Sequence, residues 1–113
     1  MINTADPRGY TVTCDDETWN KHIVAGHTIM EYNDKAVKET IDNPDVIYRS
    51  SQSPIRNVYF AKPSSSTYGN LYTKVVVQIN DTDKTGEIVS AWPQPSISGG
   101  IDQGGVLYVK PKL

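Results

Sequence analysis

The chain has 113 residues, 37% of them hydrophobic and 21% charged, which suits one folded domain with a modest core and leaves no room for a second regulatory domain. Eleven basic residues against thirteen acidic ones give a net charge of −2. That excludes broad, non-specific nucleic-acid binding, which needs an extended phosphate-neutralising surface, but leaves open a small cleft with a few focused cations. The longest strongly apolar run is Val75–Val77, so no bilayer span is expected, and Met1–Tyr10 lacks the apolar centre of a signal peptide, so export would need another segment or system. The single Cys14 permits no internal disulfide and no cysteine-rich zinc site, fits a reducing compartment, and is expected as a small, partly buried apolar residue.

Met1–Arg8 reads as a loose arm. Gly9–Cys14 alternates weakly and predicts a short strand. Thr13, Asp15 and Asp16 supply caps and negative charge for a helix over about Asp16–Ala25, in which Trp19, His22, Ile23 and Gly26 share a face. Gly26 stops that helix, leaving His27 just beyond its end. A second helix follows, starting either at the capping box Thr28–Glu31 or at Asn33 or Asp34. Its buried stripe is Ala36, Val37, Thr40 and Ile41, and Asn43-Pro44-Asp45 ends it.

The period then changes from helical to alternating. Strands are expected at Val46–Ser50, Arg56–Ala61, Leu71–Ile79 and Glu87–Trp92, with a final edge strand at Val106–Val109. The connections are the turn Ser51–Pro54, a polar loop Lys62–Asn70, a hairpin loop Asn80–Gly86 and a second loop Pro93–Gly105. Short connections force antiparallel pairing. The expected class is α+β: two N-terminal helices packed on one face of a four- to five-stranded antiparallel sheet. A single domain spans 1–113, with its core at about 10–92 and a C-terminal extension at 93–113. In the strongest strand Leu71, Thr73, Val75, Val77 and Ile79 face the helices, and Tyr72, Lys74, Val76 and Gln78 face a ligand-binding side. Ile88, Ser90 and Trp92 are expected to share one face of the partner strand.

His22 and His27 are the only histidines. Five residues apart on a continuous helix, they would point about 140° away from each other, so no helical metal pair is expected. As acid and base they have a use. RNA cleavage by its own 2′-hydroxyl needs a base for that proton, an acid for the leaving 5′-oxygen and a cation beside phosphorus, and imidazole serves in either proton-transfer role. Lys74 is unusual at a strand centre. Arg49 and Arg56 flank the first sheet hairpin and are candidates to grip phosphate, and Tyr48, Tyr59, Tyr68 and Tyr72 are candidates to stack on unpaired bases. Ser90 has no neighbouring His or Asp to suggest a hydrolase triad.

Trp19-x-x-His22-Ile23, Gly26-His27 and Thr40-Ile41-x-x-Pro44-Asp45-x-Ile47, followed by Val58-Tyr59-Phe60, Lys74-Val75-Val76-Val77 and Ile88-Val89-Ser90-Ala91, resemble the phage-type branch of the barnase–EndoU–colicin–RelE nuclease superfamily over roughly residues 15–92. The resemblance implies a two-helix, four-stranded fold and RNA cleavage with no metal and no other cofactor. It implies His22 and His27 as acid and base and Lys74 and Ser90 as phosphate contacts from the sheet; the residue types themselves add Arg49, Arg56, Tyr59 and Tyr72 as substrate-binding candidates. Toxins of this kind act on RNA, including tRNA, in the cytoplasm, some after delivery as part of a larger protein, and many are blocked by an immunity protein or antitoxin. No membrane partner is expected. The competing expectations are a catalytically silent module of the same fold that docks on a protein or structured RNA, and an unrelated phage or mobile-element structural protein.

Overall fold

In a computed structural model, which describes residues 1–112, the alternating half of the chain builds the centre of the molecule. β3 (Val46–Ser50), β4 (Arg56–Ala61), β5 (Tyr72–Asn80) and β6 (Thr85–Gln94) form an antiparallel meander. The expected four- to five-stranded antiparallel sheet is nevertheless too small and too uniform. The sheet has seven strands in the order β1-β2-β6-β5-β4-β3-β7, and it is mixed, because β2 (Thr11–Cys14) runs parallel to the start of β6.

The sheet is extended at both edges. The expected loose arm is β1 (Ile2–Ala5), an antiparallel partner of β2. The turn between them is Asp6-Pro7-Arg8-Gly9, with Asp, Pro and Gly at the positions a type I turn favours. The Gly9 amide donates to the Asp6 carbonyl at 3.0 Å, and Gly9 takes φ +92, which a side chain would strain. At the other edge, the expected final strand Val106–Val109 is the end of a longer β7 (Ile101–Val109), antiparallel to β3 and irregular in register beside Tyr48. Asp102-Gln103-Gly104-Gly105 is the irregular stretch of β7, between Ile101, which pairs with Ser50, and Val106, which pairs with Tyr48.

The two expected N-terminal helices are also corrected. Asp15 caps α1 (Asp16–Thr18) by accepting the Thr18 amide at 2.7 Å, but the chain then widens into a π-helical turn over Trp19–Val24. Thr28–Tyr32 is a 3-10 turn, and only α2 (Asp34–Asp42) is a regular α-helix of more than one turn. Asn33 is no side-chain cap. It is buried, and its amide donates to the Ile29 carbonyl and to Thr67 Oγ1 while accepting the Thr67 amide, fastening the Lys62–Asn70 loop to the helical layer.

The helical layer and the sheet enclose the main core. Trp19, Ile23, Met30, Val37 and Ile41 meet Val12, Ile47, Tyr59, Val75, Val77 and Ile88, all 2% exposed or less. Burial of each such side chain stabilises the fold by about 1.5–3 kcal/mol before entropy is counted. A second, smaller cluster lies on the opposite face, where Val46, Val58 and Phe60 carry Tyr48, Tyr72, Val76, Ile97 and Ile101. The covering element there is the connection from β6 to β7. Gln94 pairs with Tyr72 at one end of the sheet, and Ile101 pairs with Ser50 at the other, so residues 95–100 form a strap running diagonally across this face.

One local irregularity changes which side chains share a face. Val76 pairs with Ser90 while Val77 pairs with Ile88, leaving Val89 unmatched in a β-bulge. Ile88 therefore faces the helices, and Ser90 and Trp92 face the strap. The expectation that all three share a face is corrected.

Candidate functional site

Alternation along β5 places Tyr72, Lys74, Val76 and Gln78 on the strap side, as the pattern predicts. Lys74 is the exceptional member. It is 5% exposed, with its ammonium over the rings of Trp92 at 4.8 Å and Phe60 at 5.8 Å. It donates to the carbonyls of Gly99 at 2.7 Å and Ser98 at 3.2 Å. Among the described residues no carboxylate forms an ion pair with it, and burial alone holds its pKa below the ordinary lysine value.

The strap is shaped around this ammonium. Gly99 (φ +85) and Gly100 (φ +65) turn two successive residues through the left-handed region, and a Cβ at Gly99 would stand 3.0 Å from Lys74 Nζ. Gln94 holds the strap from the sheet side. Its amide donates to the carbonyls of Ser96 at 2.6 Å and Ser98 at 2.7 Å, and accepts the Trp92 indole N–H at 3.1 Å. Ile97 packs into the small cluster below.

A cleft of about 240 Å³ remains between strap and sheet, lined by Ser50, Gln52, Arg56, Val58, Lys74, Val76, Trp92, Gly99 and Gly100. His27 stands at its Trp92 end. β2 pairs with β6 only through Thr85–Glu87, so the rest of that β6 edge is open to the helical segment. His27, extended at φ −142 and ψ 90, uses this opening to stack on Trp92, with centroids 5.5 Å apart and planes 24° from parallel. Trp92 thus carries both an imidazole and an ammonium.

The residues expected from sequence divide accordingly. Lys74 and Arg56 line the cleft, His27 stands beside it, and Ser90 lies on the same face, half-buried, paired with Val76 rather than Lys74. Tyr72 shares the face but sits under the Lys62 ammonium at 4.7 Å. His22 is exposed on the π-helical turn and lines no part of the cleft. Arg49 alternates to the other face and pairs with Asp102 at 3.7 Å. Tyr59, proposed for substrate, is fully buried on the helix side, where its hydroxyl donates to Asp6 at 2.7 Å and accepts from Arg8 at 3.0 Å. Tyr68 is buried there too, bonded to Thr73, and Tyr48 meets Phe60 edge-on at 6.4 Å. Neither buried ring is free to stack on a base.

Sequence reasoning missed Trp92, Ser50, Gln52 and the strap glycines. The alternation of β6 across the hairpin from Lys74 would have put Trp92 opposite Lys74, had the bulge been foreseen. A larger hollow, about 300 Å³, opens beside the N-terminus between Ile2, Cys14, Thr18 and Glu87, but no Lys, Arg or His lines it. No helix among the described residues is long and apolar enough to cross a membrane. Compared with known protein families, curated proteins and solved structures, the chain matches none.

Proposed function

We propose that this chain is an endoribonuclease that needs no metal ion and works in the cleft beneath the strap. The observation that carries the reading is the buried Lys74 ammonium, without a counter-charge, sharing one indole with His27 and one cleft with Arg56. A buried cation with no anion of its own favours binding of one from outside, and a phosphodiester is an anion.

In this reading the proton of an RNA 2′-hydroxyl passes to the His27 imidazole as the 2′-oxygen attacks phosphorus. The bond from phosphorus to the 5′-oxygen breaks, and that oxygen takes a proton from Lys74, whose burial makes it a stronger acid than an ordinary lysine. Arg56, lining the same cleft, binds a neighbouring phosphate of the strand and so holds the RNA in place. The products are a 2′,3′-cyclic phosphate and a 5′-hydroxyl. His22 takes no part. The target is a defined RNA such as a tRNA loop, the site of action is the cytoplasm, and an immunity protein or antitoxin would act by covering the cleft.

The test is incubation of the purified chain with a tRNA fraction in EDTA, followed by analysis of the RNA ends. His27→Ala and Lys74→Met should each slow cleavage about 100-fold or more, while His22→Ala stays within about twofold. A folded chain that leaves RNA intact, or cleavage indifferent to His27→Ala, overturns the proposal.

A further inference from the structure

Lys74 and Trp92 occupy one end of the cleft, with His27 beside it on Trp92, and the other end has a different chemistry. Its floor is apolar, made by Val58 (2% exposed) and Val76. One wall is polar. Ser50, 8% exposed, accepts the Gln52 amide at 3.0 Å through its hydroxyl oxygen, and the hydroxyl hydrogen has no acceptor among the described residues. The Gln52 side chain is exposed at the rim and makes no hydrogen bond there, so its carboxamide offers both a donor and an acceptor. Gly100 is the residue against it: a Cβ there would meet the carboxamide in ordinary contact at 3.6 Å, and it is the backbone turn at φ +65 that calls for glycine. Arg56 closes this end.

We infer that this half of the cleft is a subsite for a single adenine, lying on Val58 and Val76 and read along its edge by Gln52 and Ser50. A flat, largely apolar ring suits the floor. Adenine presents an acceptor and a donor side by side at N7 and N6, the complement of a glutamine carboxamide, and the Ser50 hydroxyl supplies a further donor. The phosphates on either side of that nucleotide fall to Lys74 and Arg56. The size agrees with one base, since the cleft, about 240 Å³, falls below the roughly 300–1,000 Å³ of sites that bury a whole drug-sized ligand. The inference rests on the ribonuclease reading for the polymer that enters, but binding alone can test it.

The probes are four tetranucleotides with 2′-deoxyribose throughout, which offer no attacking hydroxyl, identical except for A, G, C or U at one internal position. Binding is followed by calorimetry. The wild-type chain should hold the adenine probe roughly tenfold tighter than the other three. Gln52→Ala and Gln52→Glu should both bring the four within about twofold of each other, because neither side chain can both donate and accept. Arg56→Ala should weaken all four and keep the preference. Gln52 is exposed and outside the core, and circular dichroism checks that its variants fold. Equal binding of the four probes, preference for another base, failure of all four to bind the folded chain, or an adenine preference that survives both Gln52 substitutions overturns the inference. Adenine-selective binding by a chain that cuts no RNA would instead sink the ribonuclease reading and leave the subsite standing.

Discussion

Asp6 and Lys74 lie on opposite sides of one sheet and are equally buried, each 5% exposed, yet their surroundings differ completely. The Asp6 carboxylate accepts from the Arg8 and Tyr10 amides, from the Arg8 guanidinium through two nitrogens, and from the Tyr59 hydroxyl, all between 2.7 and 3.0 Å. Its charge is matched and its lone pairs are filled. Lys74 has two neutral carbonyls, two aromatic faces and no anion. Burial by itself therefore says little about purpose. A buried charge with its counter-charge inside the molecule locks the fold, whereas a buried charge without one is what the proposed ligand site relies on.

The largest effect that tests this contrast is on stability. Asp6→Ala should lower the free energy of unfolding by about 3–5 kcal/mol, because it strands the Arg8 guanidinium and the Tyr59 hydroxyl. Lys74→Met should change it by only about 1 kcal/mol, since an apolar side chain on Phe60 and Trp92 compensates for the lost carbonyl contacts. Urea unfolding measures both. A Lys74→Met loss as large as that of Asp6→Ala would make Lys74 a structural lock and break the comparison. A smaller effect sharpens it. Tyr59→Phe removes a single hydroxyl from the Asp6 network and should cost about 1–3 kcal/mol. The same hydroxyl resists ionisation, because burial, with Asp6 beside it, pushes its pKa well up.

The two faces were also unequally legible in the sequence. The helix face could be read from local pattern: β3 and β4 begin and end where the alternation does, and Ala36, Val37, Thr40 and Ile41 are the buried stripe of α2. A spacing of four between Trp19 and Ile23 identifies a buried face, but not which carbonyl each amide will choose, so the π-helical turn was invisible. The strap face depends on contacts distant along the chain. Lys74 stood out as a lysine at a strand centre, but its aromatic floor needs the β6 bulge and its roof needs residues 95–100 to cross the sheet. Arg49 and Tyr59 were misplaced for related reasons. Strand parity puts them on the helix side, and a turn some fifty residues earlier, Asp6–Gly9, supplies the partners of Tyr59.

The smallest effect is a pH dependence, and it isolates the uncompensated charge. Burial holds the Lys74 pKa in the folded chain below its ordinary value of 10.5. Between the depressed value and 10.5 the unfolded chain binds more protons than the folded one, so this group makes stability rise with pH across that window. Below the window the cost of the buried ammonium is present in full; above it the cost is gone. Cys14 acts in the opposite sense, since burial, with Asp15 beside it, raises its thiol from 9.0 to about 11 and makes stability fall as pH climbs past 9. Cys14 is common to the wild type and to Lys74→Met, so the difference in unfolding free energy between the two cancels it. That difference should move in favour of the wild type as pH rises from neutral toward 10.5, and a difference that stays flat would mean the ammonium is adequately solvated where it stands. Adding a 2′-deoxy tetranucleotide should shift the rise to higher pH in the wild type alone, because an anion against Lys74 restores its affinity for the proton.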